Sequence, residues 1–184
     1  TGAPGRLERV RVDGIDGPTV VVDYAHTPDA VERALEAVRA ICPGRVHVVL
    51  GCGGDRDPGK RPLMGHAAVT GSDVFWATSD NPRTEEPSAI VDDMLRGVPT
   101  EHRSRVHREV DRGSAIARAI ADAARDDLVL IARRTGIAVE TGTWRVGRYE
   151  KRAPGIMSPI ERHWIAFLTV GPLLLVASIV AALG

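Results

Sequence analysis

The sequence predicts an α/β fold: a mostly parallel sheet with helices on both faces, followed by a C-terminal hydrophobic helix. Two observations predict the sheet. Short runs that are apolar throughout alternate with stretches whose apolar residues recur at helical spacing, the pattern of strands buried on both faces by crossover helices. Polar, charge-bearing signatures follow these runs directly, at the strand carboxyl ends where such folds bind ligands. A third observation predicts the final helix: residues 165–183 carry no charge.

Each element has its own signal. Thr19-Val-Val-Val-Asp23 is a strand. Pro28 to Ile41 is a helix, with Ala30, Val31, Ala34, Leu35, Val38 and Ile41 on one side and Pro43-Gly44 as its stop. Val46-His-Val-Val-Leu50 is the next strand. Arg61 to Thr70 is helical, and Val74-Phe-Trp-Ala-Thr78 is a third strand. Ser88 to Arg96 is a helix bounded by Pro87 and Gly97. Val106 to Val110 is a short strand, Ser114 to Ala124 an alanine-rich helix, and Leu128-Val-Leu-Ile-Ala132 the last buried strand.

Composition excludes several function classes. The 184 residues carry 24 basic and 24 acidic side chains, so no global basic field draws the chain to nucleic acid. Aromatics are 4%, too few to build a stacking platform for single strands. Cys42 ends a helix and Cys52 sits in a glycine loop, so both read as free thiols of a reducing compartment. His47, His66, His102 and His107 have no metal-ligand spacing, and no metal site is expected.

Two signatures carry chemistry. Gly51-Cys-Gly-Gly-Asp-Arg-Asp57 offers a flexible loop bearing Arg56, and Asp80-Asn-Pro-Arg83 follows the next strand. A planar guanidinium holds a carboxylate by two parallel hydrogen bonds, and Asn81 can donate to a carboxylate or accept from an ammonium. Pro82 fixes φ and stiffens the presentation of Arg83. The bland alternatives are a tight turn with an exposed ion pair and a turn that caps the next helix. Lys60 and Arg61 read as ordinary surface charges at a helix start.

Arg6-Leu-Glu8, Asp23-Tyr-Ala-His-Thr-Pro-Asp29, the Gly51–Asp57 loop with Lys60-Arg61-Pro62, and Asp80-Asn-Pro-Arg83 with Glu86-Pro87 together resemble the C-terminal domain of the Mur ligases. Within that family they look most like the branch that joins diaminopimelate to a UDP-N-acetylmuramoyl dipeptide in peptidoglycan synthesis. The resemblance runs from about Gly5 to Ala132. It implies a Rossmann-like sheet and an ATP-dependent amide-bond-forming ligase: a substrate carboxylate is activated as an acyl phosphate and attacked by the incoming amine. It implies meso-diaminopimelate on Arg56, Asp80, Asn81, Pro82 and Arg83, and nucleotide contacts from Arg6, Asp23 and His26. It implies ATP and Mg²⁺ held mainly by a central domain, and a cytoplasmic location. For His26, a purely local role at the helix start is the alternative.

The resemblance stops at Ala132. The family continues this strand with a Gly-Lys-Gly-His-Glu motif whose glutamate meets the ligand's amino group. Here Arg133-Arg-Thr-Gly-Ile-Ala-Val-Glu140-Thr-Gly142 follows. Either Glu140 is a displaced remnant of that motif, or the chain has left the family altogether. No Gly-x-x-x-x-Gly-Lys-Ser/Thr phosphate loop occurs, so the isolated chain is not expected to catalyse ligation.

The expected organisation is a linker over 1–18, a ligase C-terminal domain over 19–132, a divergent basic segment over 133–158 and a hydrophobic tail over 159–184. Residues 164–183 approach the ~20 residues that cross a bilayer core, with Trp164 at one boundary, so membrane association is expected if the tail is native. Two rival readings remain: another ligase of the superfamily, of folylpolyglutamate or cyanophycin synthetase type, and a membrane-anchored domain that has lost the reaction.

Overall fold

The computed structural model describes residues 7–10, 17–132, 137–140 and 143–146, the last two groups as backbone only. The chain divides into two units, Thr1–Tyr149 and Glu150–Gly184, and every described residue belongs to the first.

Six strands form one sheet: β1 (Glu8–Val10), β2 (Thr19–Asp23), β3 (Val46–Cys52), β4 (Val74–Ser79), β5 (Val106–Arg108) and β6 (Leu128–Ala132). Their order is β1-β2-β6-β3-β4-β5. All neighbours are parallel except β1, which pairs antiparallel with β2. The expected mostly parallel sheet is present. No strand is expected before Thr19 from the sequence; β1 adds one at the edge.

Four helices cross over: α1 (Pro28–Arg39), α2 (Lys60–Gly71), α3 (Pro87–Leu95) and α4 (Arg112–Asp122). Alternating residues of each strand face opposite sides. Val21, Val48, Leu50, Phe75 and Leu130 pack with Val31, Leu35, Met64, Ala68 and Ile90 from α1, α2 and α3. Val20, Val22, Val49, Trp76, Val129 and Ile131 pack with Ala115, Ile116 and Ala119 of α4. Helices therefore cover both faces.

Caps shift the helix bounds from those the apolar spacing gives. The Thr27 hydroxyl accepts from the Ala30 amide and starts α1. The Asp111 carboxylate accepts from the Ser114 amide, so α4 begins at Arg112 rather than Ser114. The helix α1 ends at Arg39, two residues before Ile41, which is 70% exposed. Residue Cys52, expected in a loop, is the buried last residue of β3, with Sγ 3.6 Å from the Met94 sulfur.

A further pair of strands, β7 (Ile137–Glu140) and β8 (Thr143–Val146), forms a separate antiparallel sheet. Among the described residues no helix is long and apolar enough to cross a membrane. The expected hydrophobic helix and span over 164–183 lie outside the described residues.

Candidate functional site

Register sets the site. In the β3–β4 pair, Cys52 lies opposite Ser79, so the two strands end level. The loops that follow, Gly53–Gly59 and Asp80–Glu86, therefore start side by side. The strand β6 lies between β2 and β3, and its last residue, Ala132, is level with Asp23 of β2. Along the carboxyl edge the order is thus the Asp23 loop, the exit of β6, the Arg56 loop and the Arg83 loop. Adjacent strands are about 4.8 Å apart, which puts the Asp23 loop roughly 10 Å from the start of the Arg56 loop.

The two arginine-bearing loops are stitched together. The Gly54 amide donates to the Asn81 carbonyl at 3.1 Å. The Asp55 amide donates to Glu85 Oε1 at 2.6 Å, and the Thr84 hydroxyl donates to Asp55 Oδ1 at 2.7 Å. Arg83 Nη1 lies 3.4 Å from the Asp55 carbonyl, at the outer limit of a hydrogen bond. A Cβ at Gly54 would collide with the Pro82 carbonyl, so only glycine lets the loops approach this closely. Asp55, Asn81 and Arg83 all have positive φ, at 50°, 40° and 55°. Such conformations cost of order 1–3 kcal/mol each and persist where the surroundings over-determine them.

The expected ligand residues fall into two groups. Arg56 and Arg83 are exposed on neighbouring loops, with Asn81 and Pro82 half-buried between them. Asp80 is buried, 2% exposed, beneath the same turn. Asp23 and His26 stand apart at the end of β2. The Asp23 carboxylate accepts from the Leu7 amide at 2.9 Å. His26 Nδ1 lies 2.9 Å from the Tyr24 carbonyl, and the two rings sit 5.1 Å apart. A carbonyl only accepts, so Nδ1 carries the hydrogen of this bond. His26 does not bond Asp29. Arg6 lies outside the described residues. Glu140 ends β7 opposite Thr143, in the separate two-stranded sheet, and its side chain lies outside the described residues.

Arg61 corrects an expectation. It is not a surface charge: the residue is 3% exposed at the start of α2. Its Nη2 donates to both Glu85 oxygens, at 2.7 and 2.8 Å, and its Nη1 to Asp93 Oδ2 at 2.9 Å. The bond from Arg61 and that from the Asp55 amide hold the Glu85 carboxyl below the usual carboxylate range. A signal for this burial is present in the sequence. Arg61, Met64, Gly65 and Ala68 share the i, i+3, i+4, i+7 spacing of one helix face. Lys60, by contrast, is exposed as expected.

Two cavities, of about 280 and 320 Å³, lie away from these loops. The first opens between α1 and the amino ends of β2 and β6, the second beside α3 and β5. A ligand bearing carboxylates is held by charge-assisted hydrogen bonds more than by enclosed apolar volume, so the arginine loops remain the better candidate.

Comparison with known proteins places residues 5–132 in one domain family. The model of the Mur ligase glutamate ligase domain matches residues 5–132. The UDP-N-acetylmuramoyl-L-alanyl-D-glutamate–2,6-diaminopimelate ligase of Parasynechococcus marenigrum is 54% identical over 134 residues, which are 71% of this chain and 26% of that protein. A solved structure of a ligase of the same name has a TM-score of 0.66 at 44% identity, covering 74% of this chain and 27% of the other. A bifunctional folylpolyglutamate synthase/dihydrofolate synthase shares the fold, with a TM-score of 0.55 at 20% identity, covering 73% of this chain and 30% of that one. The chain spans about a quarter of the length of the curated relatives it matches.

Proposed function

Because this chain belongs to the Mur ligase family, we propose that it is the amino-acid-binding part of a diaminopimelate-adding ligase, with Arg56 and Arg83 as its carboxylate grip. The observation that carries this is the pairing of two exposed guanidinium groups on stitched loops at the level ends of β3 and β4. Diaminopimelate carries a carboxylate where lysine has none. An arginine there attracts the first ligand and repels the ammonium of the second. Asn81 completes the grip: its side-chain amide can donate to a carboxylate and accept from an ammonium. Asp80 is buried at the start of the turn, and Pro82 fixes φ within it.

Activation lies with other groups. ATP would donate the phosphoryl group that activates the substrate carboxylate, with ADP leaving and Mg²⁺ offsetting the charge, and this sequence contains no phosphate-loop motif to hold them. Its contribution to the nucleotide is the Asp23–His26 edge: a carboxylate suited to ribose hydroxyls, an imidazole oriented by the Tyr24 carbonyl, and Arg6 nearby in sequence. The UDP-N-acetylmuramoyl dipeptide is the second substrate this reading assigns to the full-length enzyme.

Calorimetry with meso-diaminopimelate tests the grip. Arg83→Ala and Arg56→Ala should each weaken binding by about 1.5–3 kcal/mol, the worth of a hydrogen bond to a charged group. Unchanged affinity in both variants would refute the proposed pocket.

A further inference from the structure

We propose that Arg61, acting through Glu85, is a positioning residue that fixes the spacing of the Arg56 and Arg83 loops and thereby the ligand the site accepts. The second half of this inference rests on the carboxylate-grip reading above.

The geometry points to Arg61 because it touches neither loop arginine, yet its partner joins both loops. The Glu85 carboxylate accepts two hydrogen bonds from the buried Arg61 fork. The same carboxylate accepts from the Asp55 amide, one residue before Arg56, and Glu85 itself sits two residues after Arg83. The other arm of Arg61 reaches Asp93 on α3, the helix that the Arg83 loop feeds. One guanidinium thus ties α2, α3 and both loops.

Physical chemistry favours a reason beyond stability. Burying an ion pair carries a desolvation cost that often cancels its Coulombic gain, so well-packed apolar residues would stabilise as much. What apolar residues cannot supply is a rigid fork of fixed geometry. Here that fork fixes the Glu85 carboxylate, which accepts the Asp55 amide across the loops, beside backbone held at positive φ at Asp55, Asn81 and Arg83. A site whose supporting contacts are loose by an ångström loses selectivity before it loses its fold.

Amide exchange followed by nuclear magnetic resonance on the 184-residue chain reads the spacing without ligand. In Arg61→Met, the Asp55 amide, which Arg61 does not touch, should exchange at least tenfold faster, while Val48 and Leu50 of β3 keep their rates. Arg61→Lys keeps the charge but loses the fork, and should recover only part of the protection. If Arg61→Met does not fold, Arg61→Lys carries the same test, with at least fivefold faster exchange at Asp55. Unchanged Asp55 exchange in these variants overturns the inference, whatever the ligand does.

Calorimetry with meso-diaminopimelate and L-lysine reads the consequence. The preference for diaminopimelate should fall at least tenfold in the same variants, with lysine affinity changing less than threefold. Faster exchange with an unchanged preference overturns the link from spacing to ligand choice. Parent binding that is indifferent to Arg83→Ala overturns the grip reading and its ligand consequence. The spacing role of Arg61 is still decided by exchange.

Discussion

His47 is fully buried at the start of β3, with Nε2 3.2 Å from Asp127 Oδ2. Asp127 is also held by the Arg45 and Ala124 amides and by the Arg45 side chain. Burial pushes the His47 pKa below its ordinary 6.5, against the opposing pull of Asp127. Burial pushes the Asp127 carboxyl up, but the two amide bonds and His47 outweigh it and leave it below 3.8. Both contributions are lost as pH falls, over different ranges. Unfolded His47 takes a proton near pH 6.5 and folded His47 only at lower pH, so the unfolded state binds more protons in between. Stability is therefore full above pH 6.5 and falls as pH drops below it. The Asp127 contribution is lost only below its ordinary pKa of 3.8. Urea midpoints between pH 8 and pH 5 should decline below about 6.5 in the parent, and His47→Gln should flatten that decline. A parent midpoint that is constant across this range would contradict the assignment.

Helices α2 and α3 meet at Gly65, where a Cβ would strike the Met94 carbonyl. Two effects oppose each other in Gly65→Ala. Helix propensity favours alanine by about 1 kcal/mol. Overpacking costs about 1–3 kcal/mol, nearer the upper end when the obstacle is backbone rather than a flexible side chain. Overpacking wins, and urea unfolding should show a net loss of about 1–2 kcal/mol; a more stable variant would mean that α3 yields. The elements themselves were legible because their signals are local. The apolar runs of β3, β4 and β6 and the one-sided spacing of α1 need no partner to be recognised. The strand β1 was not legible: three residues at a sheet edge, Glu8–Val10, carry too little pattern to register. Arg61 was misread for a related reason. Its partners Glu85 and Asp93 are 24 and 32 residues away, so the charge run at the helix start outweighed the one-sided spacing of Arg61 with Met64, Gly65 and Ala68.

At the scale of the molecule, the sheet brings together what the chain separates. The Arg56 and Arg83 loops lie about thirty residues apart in sequence and start level because β3 and β4 are paired with Cys52 opposite Ser79. That juxtaposition was readable from the order of strands and signatures. The stitching was not, because it runs through backbone groups, Gly54 to Asn81 and Asp55 to Glu85, that no sequence pattern displays. Nor does strand order alone reveal that β6 inserts between β2 and β3, which parts the Asp23–His26 edge from the arginine grip. The family match ends at residue 132, where β6 ends and the resemblance of the sequence also stops. The central claim is therefore about the carboxylate side of the ligand, and it is tested by calorimetric titration of the 184-residue chain with meso-diaminopimelate and with L-lysine. Diaminopimelate should bind at least tenfold tighter, about 1.4 kcal/mol or more, and Arg83→Ala should erase the difference. Equal affinities for the two ligands in the parent chain would contradict it.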